Sequence, residues 1–286
     1  MSGESRKLGG GSCGEARPRI DPVQPPSCFP LSAEVASASL WEMKHPLIAA
    51  LAAATLSSSL LLTAADAPEA NTLTASEKAA GWKLLFDGKT LGGWHNFKKE
   101  GIRKGWQVKD GALVCVDPHD AGDIVTPDHY TWFELQLDYN ISEGGNSGIM
   151  FHVTDDGGSA WATGPEVQLE DNANAKDPQK CGWLYALYQP PIDPKTGKTL
   201  DATKPAGEWN HIKVLISPEK CEHVINGVKY FDYVLGSDDF KARVAKSKFA
   251  TMPKFAKTGH GSIALQGDHG QVSFRNIKIR PIEAKK

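Results

Sequence analysis

Segments in which apolar and polar residues alternate strictly constrain the fold of this chain most. In residues 133–141, Phe, Leu, Leu, Tyr and Ile alternate with Glu, Gln, Asp and Asn, and residues 211–216 alternate likewise. A period of two is typical of a strand with one buried face. Segments 221–225 and 228–233 flank Asn226-Gly227, a dipeptide that predicts a tight β-hairpin turn.

Helix signals are scarce, and residues 238–246 are the only good candidate. About a dozen strand segments without a βαβ rhythm predict an all-β fold, a two-sheet antiparallel sandwich of the jelly-roll type. In the last strand the inward parity switches between Phe274 and Ile277, which predicts a β-bulge at Arg275 and Asn276.

One long loop interrupts the strand pattern at residues 173–206. It is rich in proline and contains Trp183 and Tyr185. A loop of this length on a compact sandwich is usually functional or disordered. Its aromatic residues favour function, because the CH groups of a sugar ring pack well on an aromatic face.

The first 80 residues are not expected to belong to the sandwich. Residues 1–42 are rich in Gly, Pro, Ser and Arg, which indicates a disordered extension or an over-extended gene start. Residues 43–67 have the basic start, apolar run and small-residue end of a signal peptide. The apolar run is short for a membrane span of about 20 residues, which favours the signal peptide. The alternative is a membrane anchor with a cytoplasmic tail.

These segments predict the organisation of the remaining chain. We expect a linker at 68–80 and one β-sandwich domain at 81–282, exported to the periplasm or secreted, without stable membrane insertion after signal removal. The net charge of −2 provides no basic surface and argues against nucleic-acid binding. Cys115, Cys181 and Cys221 would remain, an odd number that permits at most one disulfide.

Three predicted strands each carry one apolar and one polar face. Parity places Ile149 and Phe151 opposite Asn146, Met150 and His152, and it places Val167 and Leu169 opposite Glu166, Gln168 and Glu170. Ile263 and Leu265 lie opposite Gln266, near Asp268 and His269. If these strands are neighbours, their polar faces merge into one site suited to a hydroxyl-rich ligand.

Nine short motifs follow one another along the remaining chain. They are Gly81–Gly88, Leu91 with Gly93-Trp94, Asp110–Leu113, Asn146–Ile149, Glu166–Gln168, Gly207–Asn210, Asn226-Gly227, Leu265-Gln266 with His269-Gly270, and Phe274–Ile277. Together, and in this order, they resemble the 3-keto-disaccharide hydrolase domain family over about residues 80–282. The resemblance implies a concanavalin A-like sandwich and action on sugars whose C3 hydroxyl a partner dehydrogenase has oxidised to a ketone.

The spacing of the carboxylates disfavours an ordinary two-carboxylate glycosidase. Glu166 and Glu170 share a face, but their Cα atoms are about 13 Å apart at about 3.3 Å per residue. Gln168, between them, is a neutral amide that does not titrate. Such glycosidases need two carboxyl groups about 5–9.5 Å apart.

A 3-keto sugar requires different chemistry. The ketone acidifies the C2 proton, so that one base removes it, the C1 substituent leaves by elimination and water adds to the resulting enone. The site then needs a base, an acid and a donor or cation for the C3 oxygen. A histidine is the expected base, because its pKa suits proton transfer near neutral pH.

The candidate residues follow from parity, position and the resemblance. His152, Glu166 and His269 are the predicted catalytic residues and the candidate ligands of a divalent metal, whose presence the spacing leaves open. Arg275 or that metal is expected to stabilise the enolate. The predicted substrate-binding residues are Asn146, Gln168, Trp183, Tyr185, Gln266, Asp268 and Arg275.

Other interpretations of the same residues stay open. The chain is alternatively a carbohydrate-binding module without catalysis, because such sandwiches often only bind, or an ordinary glycoside hydrolase. His152 is alternatively a hydrogen-bonded structural residue, the Asp268–Gly270 segment a simple turn, and Arg275 a donor to backbone carbonyls beside the bulge.

Overall fold

A computed structural model describes residues 69–283 as two antiparallel β-sheets with few helical turns. The strands are β1 (Lys83–Leu84), β2 (His95–Asn96), β3 (Trp106–Lys109), β4 (Ala112–Cys115), β5 (Ile124–Val125), β6 (Phe133–Ile141), β7 (Asn146–Val153), β8 (Glu166–Glu170), β9 (Asn210–Ile216), β10 (Cys221–Ile225), β11 (Val228–Tyr233), β12 (Ser262–Leu265) and β13 (Val272–Pro281). The helices are α1 (Ala75–Ala79) and α2 (Asp238–Lys246), with 3-10 turns at Pro118–Asp120, Ala160–Ala162 and Lys248–Thr251.

The two sheets differ in size and pack face to face. The larger has the order β11-β10-β9-β6-β13-β4-β3, with β1 also paired to β13, and the smaller has the order β2-β5-β12-β7-β8. The main core lies between them and includes Leu135, Phe274, Ile149 and Val167. This arrangement confirms the predicted all-β, two-sheet antiparallel sandwich of the jelly-roll, concanavalin A-like class.

The strictly alternating segments form the centre of the larger sheet. Along β6 every second residue is buried, from Phe133 to Ile141, and β9 pairs with its residues Phe133–Tyr139. β13 flanks β6 on the other side, and its register shifts between Arg275 and Lys278, where Asn276 has a φ of +54°. The bulge predicted at Arg275 and Asn276 is therefore confirmed.

Local signals also place the hairpin and the longer helix as predicted. β10 and β11 meet at Asn226 and Gly227, whose φ values of +48° and +81° suit the left-handed turn that these two residue types tolerate. α2 begins after Ser237, whose hydroxyl accepts the Phe240 N–H at 3.1 Å. Phe240 is the buried residue that anchors this helix.

Residues 71–80 pack on the sandwich, although the sequence predicts a linker. Asn71 is buried, and its backbone N–H and side-chain Oδ1 both pair with Asn276 of the β13 bulge, at 2.7 and 2.8 Å. α1 begins with a capping box formed by Thr74 and Glu77, and Glu77 also forms an ion pair with Lys278. The linker prediction missed these contacts because the bulge that receives Asn71 lies about 200 residues further along the chain.

Two sequence predictions fall outside the described residues, the extension at 1–42 and the signal peptide at 43–67. Within residues 69–283, no helix has the length and hydropathy needed to cross a membrane. Cys115, Cys181 and Cys221 are all buried free thiols.

Candidate functional site

The polar strand faces predicted from parity belong to neighbouring strands. β12, β7 and β8 lie side by side, and Gln266, directly after β12, donates its backbone N–H to Gly148 O at 2.9 Å. Gly148 is in register with Gln168, and Met150 with Glu166. Since Leu265 pairs with Ile124, the register brings Gln266 next to Asp123. The polar faces therefore merge, as predicted, on the side of the smaller sheet that points away from the main core.

The 173–206 loop extends this surface with an additional strand-like segment. Trp183 O accepts the Gln168 N–H at 3.0 Å, and Glu166 O accepts the Tyr185 N–H at 2.9 Å. Leu184, between them, pairs with Val167 and is fully buried in the main core. Trp183 and Tyr185 therefore project to the opposite side, beside Gln168 and Glu166. We call the resulting surface the polar face. It is formed by Asp123, Gly148, Met150, Glu166, Gln168, Trp183, Tyr185 and Gln266, with His269 at its open side.

Glycine at position 148 makes room for the Glu166 carboxyl group. A Cβ built on Gly148 would lie 2.9 Å from both Cγ and Cδ of Glu166 and still closer to Oε1. The Glu166 side chain therefore leans across β7, towards the middle of the polar face. An alanine at 148 would force it elsewhere.

The polar face concentrates buried polar atoms that have no protein partner. Among the described residues, such atoms are Asp123 Oδ1, Gln168 Oε1 and Nε2, Glu170 Oε2, Trp183 Nε1, Gln266 Oε1 and Arg280 Nε. All except Arg280 Nε belong to the polar face or its margin. Leaving a buried polar group unpaired costs about 1–3 kcal/mol, so a cluster of them indicates a place where a polar ligand binds.

Two carboxyl groups on this surface hold their protons unusually tightly. Burial raises the pKa of Glu166 to about 7, the negative charge of Asp123 adds to the rise, and the positive charges of Lys248 and His269 oppose it. Burial likewise raises the pKa of Asp123 to about 7, and the Asp268 charge adds to it. Both groups can exchange a proton near neutral pH, as acid–base catalysts require.

His269 stands at the open side of the same surface. Its Nδ1 pairs with the Asp268 carboxylate in the turn between β12 and β13, and both side chains are about half exposed. Asp268 raises the pKa of His269, and the charges of Glu166 and Asp123 add to the rise. This pairing leaves Nε2 free and favours the protonated imidazole, a potential acid.

His152 does not lie on the polar face, and its predicted side on β7 is wrong. β12 residue Ser262 pairs with Val153 and Ala264 with Met150, so two β7 residues oppose one at this point. His152 adopts a φ of +56° in this bulge and is buried. Its Nε2 lies 2.8 Å from Thr131 O, its ring packs against Phe133, and burial lowers its pKa to about 4. The structure supports the hydrogen-bonded alternative.

Arg275 is also remote from the polar face. It projects from the outer side of the larger sheet, with its guanidinium 4.1 Å from the Trp209 ring centre. Its Nε donates to Asp138 Oδ2 at 3.3 Å. The main core separates this position from the polar face, so the structure does not bring Arg275 together with the other predicted site residues.

Asn146 and Glu170 mark one margin of the polar face. They are partners in the β7–β8 register, one pair beyond Gly148 and Gln168. Glu170 Oε1 accepts a hydrogen bond from Lys180 Nζ at 2.7 Å, and this ion pair satisfies half of the carboxylate. Asn146 thus remains on the predicted face, whereas Glu170 is held by its lysine.

The predicted metal set is not assembled. Among residues 69–283, no three His, Cys, Asp or Glu side chains are grouped closely enough to hold a metal ion. His152 lies in the core, and only Glu166 and His269 of the three candidates share the polar face. The residues present therefore do not fit the divalent metal that the sequence left open.

The described geometry agrees with a known family. The family model described as the 3-keto-alpha-glucoside-1,2-lyase-like domain matches residues 81–280. The chain belongs to this family. A curated relative, the 3-keto-disaccharide hydrolase of Bacteroides thetaiotaomicron, is 28% identical over 252 residues, which cover 76% of this chain and 84% of the relative. The family resemblance predicted from the nine motifs is confirmed.

Solved structures of similar proteins agree with the fold. A proposed glycosyl hydrolase from Parabacteroides distasonis has a TM-score of 0.67 and 35% identity, covering 75% of this chain and all of that protein. A second proposed glycosyl hydrolase from the same species has a TM-score of 0.53 and 30% identity, covering 70% of this chain and 99% of its own. This member of the lyase-like family thus shares its fold with both of these structures.

Two residues of the site were missed by the sequence analysis. Asp123 precedes the two-residue strand β5, too short for parity to assign it a face. Lys248 begins a 3-10 turn after α2, and its ammonium lies 4.0 Å from the Tyr185 ring centre. Nothing local marks either residue. The positions of both residues at the site depend on how segments distant in sequence pack together.

Proposed function

We propose that this protein cleaves 3-keto-glycosides by removing the C2 proton, eliminating the C1 substituent and hydrating the enone, a net hydrolysis. The observation that carries the proposal is the set of three ionisable groups on one polar face, Glu166, Asp123 and His269. Two have pKa values raised to about 7, and the third has a raised pKa that favours its acid form. The family and the curated relative support the substrate class.

Glu166 is the proposed base, in place of the histidine expected from the sequence. Asp123 and His269 adjoin β5 and β12 on one side of β8, and Lys248 lies over Tyr185, which pairs with Glu166 on the other side. In a 3-keto-glycoside, C2 lies between the C1 oxygen and the C3 oxygen, so the central group faces C2. A carboxylate whose pKa is near the working pH is an effective base for this step.

His269 is the proposed acid. In the first half-reaction, Glu166 takes the C2 proton, the C1–O bond breaks, and His269 gives its Nε2 proton to the departing oxygen. In the second, neutral His269 takes a proton from water as its oxygen adds to C1, and Glu166 returns its proton to C2. Both groups end in their starting states, so the cycle needs no further reactant.

The amide and indole groups are proposed to hold the sugar. Gln168 and Gln266 carry buried amide atoms without protein partners, and Trp183 has a buried Nε1 without one. Sugar hydroxyl groups both donate and accept hydrogen bonds and would satisfy these atoms. The unpaired atoms thus favour a ligand with several hydroxyl groups over an apolar one.

The same carboxyl groups favour a second candidate function. The negative charge of Asp123 raises the pKa of Glu166 on the same surface, and ordinary glycosidases use two carboxyl groups on either side of the scissile bond. An ordinary glycoside hydrolase would cleave unoxidised sugars. Asp123 is a second carboxyl group on the same face, and the wide spacing of Glu166 and Glu170 does not exclude it.

The cellular setting is also proposed. Elimination requires a ketone at C3, so a sugar 3-dehydrogenase must supply the substrate. The signal-peptide pattern of residues 43–67 supports export to the periplasm or beyond. The supply of substrate by a dehydrogenase and the export of the protein are separate proposals, and neither depends on the geometry of the polar face.

Incubation of the purified protein with a 3-keto-glucoside and with its unoxidised parent tests the proposal. Turnover of the keto sugar alone, followed by mass spectrometry and enone absorbance, would support elimination. Equal or faster cleavage of the parent would support the ordinary glycosidase. Binding of both sugars without turnover would show a carbohydrate-binding module and overturn both catalytic assignments.

A further inference from the structure

Lys248 presents a cation at the polar face. Its Nζ lies 4.0 Å from the Tyr185 ring centre, 5.3 Å from that of Phe249 and 5.7 Å from that of Trp161. No carboxylate in the described part of the chain is within salt-bridge distance of it. The contacts with aromatic rings attract the charge but leave the N–H donors available for a ligand.

Backbone pairing fixes the position of Lys248 relative to Glu166. Tyr185 lies beside Glu166, with its N–H donating to Glu166 O at 2.9 Å. The Tyr185 hydroxyl donates to Asp177 Oδ2 at 2.7 Å, which holds the ring beneath the ammonium. Lys248, over the ring of a residue paired with Glu166, is thus near that carboxyl group, and its positive charge lowers the pKa of Glu166.

The opposite side of Glu166 carries the other ionisable groups. His269 and Asp123 influence each other's proton affinity, and both belong to the β5 and β12 side of the sheet. Glu166 therefore separates a cationic side from an acid side. A sugar with C2 at Glu166 and its C1 oxygen at His269 directs its C3 oxygen towards Lys248.

We propose that Lys248 binds the C3 ketone oxygen and stabilises the enolate formed when Glu166 removes the C2 proton. This assignment rests on the proposed function, and it gives Lys248 the role that the sequence assigned to Arg275. A preorganised cation where negative charge develops is commonly the largest single contribution to catalysis. It would also make the site selective for oxidised sugars, since only these develop charge at C3.

The test compares Lys248→Met, Lys248→Arg and a matched control, Lys246→Met. Lys246 is an exposed lysine two residues away, at the end of α2. We expect Lys248→Met to lower kcat on a 3-keto-glucoside at least about 100-fold. Affinity for the unoxidised parent should change less than about twofold, Lys248→Arg should recover part of kcat, and Lys246→Met should match the wild type.

Infrared spectroscopy of the bound ketone provides a readout that does not depend on turnover. A 3-keto-glucoside labelled with ¹³C at C3 is bound to Glu166→Gln and to Glu166→Gln/Lys248→Met. We expect the carbonyl band to lie at lower frequency with Lys248 present and to return to its solution value without it. An unchanged band, or full activity of Lys248→Met beside an active wild type, would overturn the role of Lys248 alone. A wild type that does not act on the keto sugar would overturn the proposed function and this role together.

Discussion

At the scale of single residues, the neighbours of a buried ionisable group decide which role it can have. Glu166 and His152 are both almost fully buried, yet their surroundings differ. Glu166 lies among other ionisable groups and amides with unpaired atoms, whereas His152 has aromatic neighbours and one backbone acceptor. The first environment suits proton transfer and the second suits structure. His269 lies on the polar face with Glu166, so substitutions of His152 and His269 compare the two environments with the same residue type.

His152→Asn and His269→Asn should have opposite effects. Asparagine tolerates the positive φ at 152, but it would lose the ring packing and the hydrogen bond to Thr131. The free energy of unfolding should therefore fall by about 1–3 kcal/mol. The kcat of His152→Asn on a keto sugar should stay near wild type. His269→Asn should retain its stability, because the side chain is half exposed, and lose activity about 100-fold or more. Urea titration and steady-state kinetics measure both; a normal rate for His269→Asn would exclude it as the acid.

Asp268→Asn should shift the pH profile without abolishing activity. Asp268 raises the pKa of His269, so its neutral replacement should lower that pKa. An acid works only while protonated, and its activity falls as pH rises through its pKa. The alkaline limb of kcat/KM should therefore move to lower pH in Asp268→Asn. An alkaline limb that moved to higher pH, or did not move, would contradict the pairing of Asp268 with His269.

At the scale of elements, Gly148 connects the register of β7 to the site on β8. Gly148→Ala should displace the Glu166 carboxyl group, since the new methyl would overlap it. We expect activity to fall more than about 100-fold while circular dichroism keeps its β-sheet signature. The matched control is Gly158→Ala, because a Cβ there meets nothing within 4 Å. Comparable activity in the two variants would show that Glu166 need not lie over β7.

The period of two in the sequence predicted the strands, and the departures of His152 and Arg275 from their predicted positions each have a structural cause. The alternation in β6 and the polar side of β8 followed directly from a period of two. Parity failed at His152 because a bulge inserts one extra residue into β7, and nothing in the sequence around it marks that bulge. Parity correctly predicted the bulge at Arg275 and Asn276. It could not predict that β13 joins the larger sheet, because the pattern within one strand does not reveal which sheet the strand joins. Trp183 and Tyr185 reach the polar face because their loop segment pairs with β8, which their residue types alone do not predict.

At the scale of the whole molecule, buried histidines and buried carboxyls affect stability in opposite directions. Burial lowers the pKa of His152 and His223 to about 4, so the unfolded chain binds more protons and stability falls as pH drops from about 6.5 to 4. Burial raises the pKa of Glu166 and Asp123 to about 7, so stability rises as pH drops from about 7 towards their unfolded values. The two effects oppose each other over a shared range.

Glu166→Gln should separate these effects. A neutral amide removes the cost of burying a charge above pH 7, so the variant should be more stable than wild type at pH 8, on the order of 2 kcal/mol. The difference should shrink as pH falls and vanish near pH 4, where the wild-type carboxyl is protonated in both states. Urea unfolding at several pH values measures it. A variant less stable than wild type at pH 8 would show that ionised Glu166 is well satisfied in the folded protein.

The central claim is that Glu166 removes the C2 proton and His269 protonates the leaving group, and hydrogen exchange at C2 tests both. A 3-keto-glucoside is incubated in D₂O with wild type, Glu166→Gln or His269→Gln, and NMR follows deuterium at C2 and release of the C1 substituent. The account predicts exchange and release by wild type, exchange with little release by His269→Gln, and neither by Glu166→Gln. Exchange at the wild-type rate in Glu166→Gln would contradict it.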